Sequence, residues 1–360
     1  MKEQMTSGSP LHAIIMAGGV GSRFWPFSRT HHPKQFLDIL DTGKTLIQMT
    51  YERLLAFVPE DRIWVVSHKD YADLVAQQLP RLLPSQRLLE PERRNTAPCV
   101  ALAAKHLEAV DPNALALIVP ADHLIADTGN YAAEMQAAAG YVEQHPECLL
   151  TFGIRARRPD TGYGYIRYDA ASGHSGFHPV MRFVEKPDLP TAMGYIASGE
   201  YLWNSGMFLW RNQTMLRQIA LHAPGISAAF SGFVPSGDLS SIYPLCDSIS
   251  IDHAIMEKAD NVVVRPVDFG WSDLGTWASL YEILDKDVAG NATNGGTVEL
   301  AETNDCLVFN RSNALLALQS VSNLIVVSTP DAVLVCDRSQ EQKIKQLVAA
   351  IAKSRSNESL

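Results

Sequence analysis

Apolar and polar positions along most of this chain alternate between two textures. Short apolar runs at 13–16 and 63–67 lead through loops into stretches of helical spacing at 46–57 and 71–83. A third cycle predicts a helix over 96–110, capped by Asn95 or Thr96 and rich in alanine, then a strand over 114–119. Further strands are expected at 149–153, 181–184, 207–210 and 261–266, each flanked by Gly, Pro or Asn. Such repetition of strand and helix predicts an α/β domain with a mostly parallel sheet, ending near Asp285.

Beyond about residue 288 the texture changes. Gly and Asn crowd 290–296, which reads as a connector. Short β-rich runs then recur every eight or nine residues, at 306–309, 314–318, 324–327 and 332–336. That spacing suits small stacked or meandering strands. A last helix is expected over 340–353, opened by a capping box of Ser339 and Gln342. Its apolar face is expected to be Ile344, Leu347, Val348 and Ile351.

Composition bounds the chemistry. The 360 residues are 46% hydrophobic and 19% charged, enough apolar material for two domains. Thirty Lys and Arg stand against 39 Asp and Glu, a formal charge of −9 with no basic tract, so no nucleic acid or anionic membrane is expected as a partner. No apolar run nears the ~20 residues that span a bilayer, and the first ten residues lack a secretory apolar core, so a cytoplasmic protein is expected. The five cysteines lack C-x-x-C spacing, which speaks against a disulfide framework or a zinc site.

Several segments carry candidate chemistry. The first strand runs into Gly18-Gly19-Val20-Gly21-Ser22-Arg23, with Arg29 and Lys34 just beyond. Glycines there let backbone N–H groups approach a phosphate, and the cations suit a polyphosphate in an acidic protein. Phe24 breaks the dinucleotide fingerprint and no G-K-S/T follows, so neither a nicotinamide site nor a P-loop is indicated. A tight turn with solvated basic residues is the plainer alternative. Asp122 ends a buried strand and Asp273 lies in Gly270-Trp271-Ser272-Asp273-Leu274-Gly275. Two such carboxylates suit Mg²⁺, although Asp122 could equally cap the next helix. Glu185-Lys186-Pro187 is either a solvated rim or a phosphate-holding lysine beside a sugar-binding carboxylate. The segments at 161–165 and 203–208 suit a sugar ring or ordinary turns. His31, His32, His68 and His123 show no metal-ligand spacing, and no G-x-S-x-G element is present.

Taken together, these segments resemble the sugar-1-phosphate nucleotidyltransferases, and more closely the mannose-1-phosphate guanylyltransferases. The match is collinear through the glycine segment, Pro33-Lys34-Gln35-Phe36, Glu90-Pro91, Arg94-Asn95-Thr96-Ala97-Pro98, Pro120-Ala121-Asp122-His123, Glu185-Lys186-Pro187, Trp203-Asn204-Ser205-Gly206-Met207-Phe208, Ser250-Ile251-Asp252 and Gly270–Trp277. It is clear over 12–285 and weaker beyond; Ser22, Phe24, Phe27 and Ala121 are mild departures. The resemblance implies a Rossmann-like nucleotidyltransferase domain over 11–287 and a small β-helix-like domain with a terminal helix over 297–360, which joins two subunits in a homodimer. It implies transfer of GMP from GTP to mannose 1-phosphate, with Mg²⁺ on Asp122 and Asp273. By the same resemblance Arg23 and Lys34 serve the triphosphate, with Gly18, Gly19, Gly21 and Ser22 supporting it. Guanine, whose Watson–Crick edge presents two donors, is expected to be selected by Glu90 together with the backbone around Asn95–Pro98, Asn95 and Ala97 included; the rival role for Glu90 is a surface pair with Arg93 or Arg94. Lys186 holds the sugar phosphate, with Gly164, Glu185 and Asn204 at the sugar. Many bacterial relatives carry a further isomerase domain, and this length leads us to expect a monofunctional enzyme. Competing expectations are a transferase for glucose 1-phosphate with UTP or dTTP, and a catalytically silent nucleotide-sugar sensor.

Overall fold

The strands follow one another as β1 (Leu11–Met16), β2 (Ile63–His68), β3 (Arg87–Glu90), β4 (Leu115–Pro120), β5 (Leu124–Ile125), β6 (Leu149–Arg155), β7 (Gly164–Tyr168), β8 (His178–Glu185), β9 (Tyr201–Arg211), β10 (Val262–Val267) and β11 (Trp271–Ser272). After them come β12 (Ala292–Gly295), β13 (Val298–Ala301), β14 (Leu307–Asn310), β15 (Leu316–Gln319), β16 (Leu324–Ser328) and β17 (Val333–Asp337). This computed structural model describes residues 9–19, 21–235 and 237–354, and at Ser22 the backbone only. The chain forms two compact units. One takes the chain through Gly18, Tyr51–Ala121 and Ile125–Trp271; the other takes Gly19–Thr50, Asp122–Leu124 and everything from Ser272 on.

The larger unit is built on a nine-stranded sheet ordered β3-β2-β1-β4-β9-β6-β10-β8-β7. β3, β2, β1 and β4 run parallel, while β9 lies antiparallel to both β4 and β6. β1 and β2 are buried along nearly their whole length, as continuous apolar runs with helices on both faces must be. The helix Thr96–Val110 has the expected bounds, and Asn95 caps it by accepting from the Thr96 N–H. Ala97, Val100, Ala101 and Ala103 are buried in the main core.

Three expectations are corrected here. The run 71–83 is helical only over Ala72–Gln78, because Pro80, directly after the C-cap Leu79, cuts it short. The 161–165 segment is not only a turn, since Gly164–Tyr168 is a strand paired with β8 and β9. Trp203–Phe208 lies inside the long strand β9.

In the smaller unit the expected stacked strands form two parallel faces. β12, β14 and β16 make one, closed by antiparallel β17, and β13 and β15 make the other. From β13 to β16, successive half-turns of eight or nine residues alternate between the faces, and β17 then folds back beside β16; this is the periodicity visible in the sequence. Residues 290–296 are more than a connector, since β12 starts there. Its neighbouring buried Asn291 makes side-chain bonds to the Thr303 carbonyl and the Cys306 N–H, and Asn310 plays the same part at the next corner, donating to the Thr297 and Ala314 carbonyls. Polar residues read as loop-formers are thus internal corner ties.

Strand β14 shows how this unit is packed. Val308 faces the interior of the coil with Val326, whereas Leu307 and Phe309 face a cluster that includes Phe24, Trp25, Leu37, Leu274 and Trp277. Trp277 sits 4.8 Å from Phe24 and 5.1 Å from Phe309, ring centre to ring centre, and donates to the Trp25 carbonyl. Aromatic pairs of this kind contribute ~0.5–1.5 kcal/mol each beyond area burial. The segment bearing the glycines is therefore part of the same core as the C-terminal coil. Arg29 reinforces it by donating from Nη2 to both carboxylate oxygens of Asp331.

The terminal helix departs from expectation at its start. Asp337, not Ser339, provides the cap, a 3₁₀ segment occupies Arg338–Lys343, and the α-helix covers Ile344–Ser354. Ile344, Val348 and Ile351 pack inward as expected, while Leu347 is 44% exposed. Residues 355–360, the end of the expected second domain, lie outside the described residues. Among the described residues no helix is long and apolar enough to cross a membrane.

Candidate active site

The glycine segment is held from below by the Pro33–Phe36 stretch. Gly21 has φ +63°, and a Cβ there would lie 2.6 Å from the Lys34 Cβ, so only glycine fits. Gln35 donates to the Gly19 carbonyl and Ser28 to that of Gly21. Val20 lies outside the described residues, as does the Ser22 side chain.

Lys34 is buried, and its ammonium has three partners. It lies 2.7 Å from Asp122 Oδ2 and donates to the carbonyls of Asp273 (2.8 Å) and Leu274 (3.0 Å). Leu274 sits at φ +44°, a conformation costly for a side chain with a Cβ. The three donors of Lys34 thus tie the strand-end aspartate to the Asp273 loop. Asp273 Oδ1 accepts from the Gly275 N–H. Burial pushes the Asp122 carboxyl upward, but the charges of Lys34 and His123 outweigh it and hold the pKa below the ordinary value. Asp122 does not cap the next helix, a role taken by Asp127. A cleft of about 240 Å³ opens here, lined by Gly21, Arg23, Lys34, Asp122, Asp273 and Lys345 among others. Two carboxylates and three cations thus meet in one place, and all belong to the smaller unit.

Glu90 ends β3 in the larger unit. It is buried and accepts from the Tyr243 hydroxyl at 3.0 Å. Burial pushes its pKa up to about 7. The surface role with Arg93 or Arg94 is not adopted: Arg93 contacts Tyr71 and Asp70, and Arg94 chelates Glu92. A Cβ on Gly18 would sit 3.3 Å from Glu90 Oε2, so the glycine keeps this carboxylate open on that side. Asn95 has φ +65° and spends its side chain on its own helix, and the Ala97 N–H is taken by the Ile249 carbonyl.

The sugar-side residues come together around β7, β8 and β9. Gly164 pairs with Glu185 in register, and a Cβ there would meet Glu185 Oε2 at 2.5 Å and the Asn204 Cβ at 3.2 Å. Glu185 is no solvated rim, for its side chain is 9% exposed; it pairs with Lys186, which is 58% exposed. Asn204 accepts from the Gly206 N–H and donates at 2.9 Å to Asp252 Oδ1.

Asp252 had no assigned role. It opens a π-helical turn, Asp252–Met256, a rare winding that often marks functional positions. Burial and then the Glu185 charge push its pKa up to about 6. Its signal in the sequence was an acid set among Ile251, Ala254, Ile255 and Met256. Tyr243 and Lys345 also had no assigned role, and neither lies in a recognisable motif. No group of three or more metal-ligating side chains occurs among the described residues.

A family model described as Nucleotidyl transferase matches residues 12–290, and one described as a MannoseP isomerase/GMP-like beta-helix domain matches 296–351. The chain is 43% identical over 353 residues to a mannose-1-phosphate guanylyltransferase of Salmonella montevideo, covering 94% of this chain and 73% of that protein. It is 40% identical over 349 residues to the xanthan biosynthesis protein XanB of Xanthomonas campestris pv. campestris strain B100, covering 94% and 72%. Among solved structures it superposes, with a TM-score of 0.87 and 32% identity, on a Thermus thermophilus protein described as a mannose-1-phosphate geranyltransferase. That superposition covers 95% of this chain and 99% of the other.

Proposed function

The chain belongs to the nucleotidyl transferase family, and on that basis we propose that it transfers GMP from GTP to α-D-mannose 1-phosphate, giving GDP-mannose and pyrophosphate. The observation that carries this is the cleft in which Lys34 ties Asp122 to the Asp273 loop beside Arg23. A phosphate oxygen of the sugar attacks the α-phosphorus of GTP in line and pyrophosphate departs, so the protein's work is positioning and charge neutralisation. No covalent protein nucleophile is needed.

Arg23 meets the triphosphate, and its contact strengthens as charge develops on the leaving pyrophosphate. Lys34 organises the cleft, and a triphosphate oxygen reaching it takes the place of one of its three present partners. The backbone of Gly18–Ser22 supports the nucleotide. Asp122 and Asp273 would hold Mg²⁺, which suits one or two carboxylates together with substrate phosphates; two carboxylates on one cleft fit that requirement. When bound, the cation supplies neutralisation of phosphate charge.

Glu90 reads the guanine edge: ionised, it accepts from N1–H and the exocyclic amine, a pattern adenine does not present. Asn95 and Ala97 set the backbone at that end of the base site. Lys186 holds the phosphate of mannose 1-phosphate, while Glu185, Asn204 and the bare Gly164 define the sugar position. The enzyme acts in the cytoplasm. Residues 11–287 form the catalytic domain, and 297–360 join two copies into a homodimer, a state that sedimentation of the full chain tests directly. For the reaction itself, pyrophosphate release is measured with GTP, UTP, dTTP and ATP against mannose and glucose 1-phosphate. The GTP and mannose pair should be fastest; equal or faster release with UTP and glucose 1-phosphate would reassign the substrates.

A further inference from the structure

We propose that Lys345, on the C-terminal helix, is a phosphate-binding residue of the nucleotide cleft, where with Arg23 it meets the triphosphate and the departing pyrophosphate. This rests on the guanylyltransferase function proposed above and adds to it a group from the C-terminal β-helix region.

The first support is placement. Lys345 lines the same cleft as Gly21, Arg23, Lys34, Asp122 and Asp273, although 72 residues separate it in sequence from the last of them. The second is the fixed helix that carries it. Ile344 is buried in the cluster with Phe24, Leu274 and Trp277, and Val348 and Ile351 pack beside it. Glu341 accepts from the Ala278 N–H at 2.7 Å, pinning the preceding turn. One residue on from Ile344, about 100° around the helix, Lys345 leaves the buried face at its flank and stays exposed.

The third support is charge. A triphosphate entering this cleft meets the carboxylates of Asp122 and Asp273, in a protein of net charge −9. Lys34 is a cation there, but its donors already serve Asp122 and two carbonyls. Arg23 and Lys345 are the exposed cations of the lining. An ammonium is a compact donor suited to several phosphate oxygens in turn, as successive charge states of the leaving group require. The C-terminal region then contributes chemistry to the site in addition to its packing on the glycine segment.

The test uses the full chain with Lys345→Ala, Lys345→Glu and Lys345→Arg. Two readouts are taken: steady-state KM for each substrate, and calorimetric binding of inorganic pyrophosphate in the presence of Mg²⁺. Lys345→Ala should raise the GTP KM and weaken pyrophosphate binding about tenfold, in line with loss of one charge-assisted bond. Lys345→Glu should do more, Lys345→Arg should largely restore both, and the mannose 1-phosphate KM should stay unchanged. Thermal melts of all three should match the parent, because Ile344 and Glu341 are untouched. Pyrophosphate affinity unchanged in both Lys345→Ala and Lys345→Glu would overturn the assignment, leaving Lys345 a solvated lysine. If the parent chain binds pyrophosphate in a Lys345-dependent way yet does not turn over GTP with mannose 1-phosphate, the substrate assignment fails and the phosphate site stands.

Discussion

Carboxylates in the two compact units face opposite electrostatic circumstances. In the smaller unit Asp122 lies 2.7 Å from the Lys34 ammonium, and its pKa is held below the ordinary value despite burial. In the larger unit Glu90 and Asp252 have neutral hydrogen-bond partners, the Tyr243 hydroxyl and the Asn204 amide, and burial pushes them up to about 7 and about 6. A compensated carboxylate stays ionised across the physiological range, as a cation ligand must. An uncompensated one is poised to titrate, and what it gains is selectivity for whichever ligand supplies the missing donors. On the proposed assignment, Asp122 suits a cation ligand that stays ionised, whereas Glu90 and Asp252 suit recognition of hydrogen-bonding groups.

The largest expected effects come from removing the two carboxylates of the cleft. Asp122→Asn or Asp273→Asn should lower kcat by roughly 10²–10³ or more, since misplaced charge stabilisation of several kcal/mol is lost. Full activity of either variant at low Mg²⁺ would take that residue out of the site. Next in size, Lys186→Ala should raise the mannose 1-phosphate KM ~10–100-fold while leaving the GTP KM alone, whereas Arg23→Ala should act chiefly on kcat. An unchanged sugar-phosphate KM in Lys186→Ala would contradict its assignment.

Glu90→Gln should narrow the preference for GTP over ATP by about tenfold to a hundredfold, because a buried pair left unmet costs ~1–3 kcal/mol. The parent enzyme's kcat/KM for GTP should rise as pH increases through about 7, where Glu90 ionises, and this inflection should vanish in the variant. Stability carries the opposite sign. The folded protein binds the Glu90 proton more tightly than the unfolded chain does, so ionisation between about pH 4.5 and 7 costs stability. Thermal melts should therefore show Glu90→Gln more stable than the parent at pH 8.5, by roughly 1–3 kcal/mol, and indistinguishable at pH 4. The smallest effect is expected at Asp252: Asn there should raise the mannose 1-phosphate KM a few-fold and abolish any inflection near pH 6. A parent profile with no inflection near 6, matched by the variant, would remove Asp252 from the sugar site.

Much of this molecule was legible in its sequence because local chemistry and tertiary structure pointed the same way. The helix Thr96–Val110 has alanine propensity, a cap and a buried face in agreement, and the glycine segment announces itself by composition. Legibility failed where a residue's local preference was overridden by a distant partner. Gly162-Tyr163-Gly164-Tyr165 reads as a turn, yet Gly164 is a strand residue whose missing side chain makes room for Glu185 and Asn204. Asn291 reads as a loop-former and is a buried tie across the coil. The capping box at Ser339 lost to Asp337, two residues earlier, which caps a 3₁₀ segment instead. That residues 19–50 share a core with the C-terminal coil follows from contacts such as Phe24 on Trp277 and Trp277 on Phe309, which periodicity cannot convey. Lys345 is silent for the same reason: in the sequence it is one more lysine on a polar helix face.

The proposed chemistry makes a specific demand on atoms, and tracing the α-phosphorus checks it most directly. The purified chain is mixed with α-³²P-labelled GTP, mannose 1-phosphate and Mg²⁺, and the labelled products are separated and identified. Label should leave GTP only into GDP-mannose, in step with an equal amount of pyrophosphate, and should stay in GTP when mannose 1-phosphate is omitted. Label appearing in GMP or GDP, or remaining in GTP with the sugar phosphate present, would contradict GMP transfer by this protein.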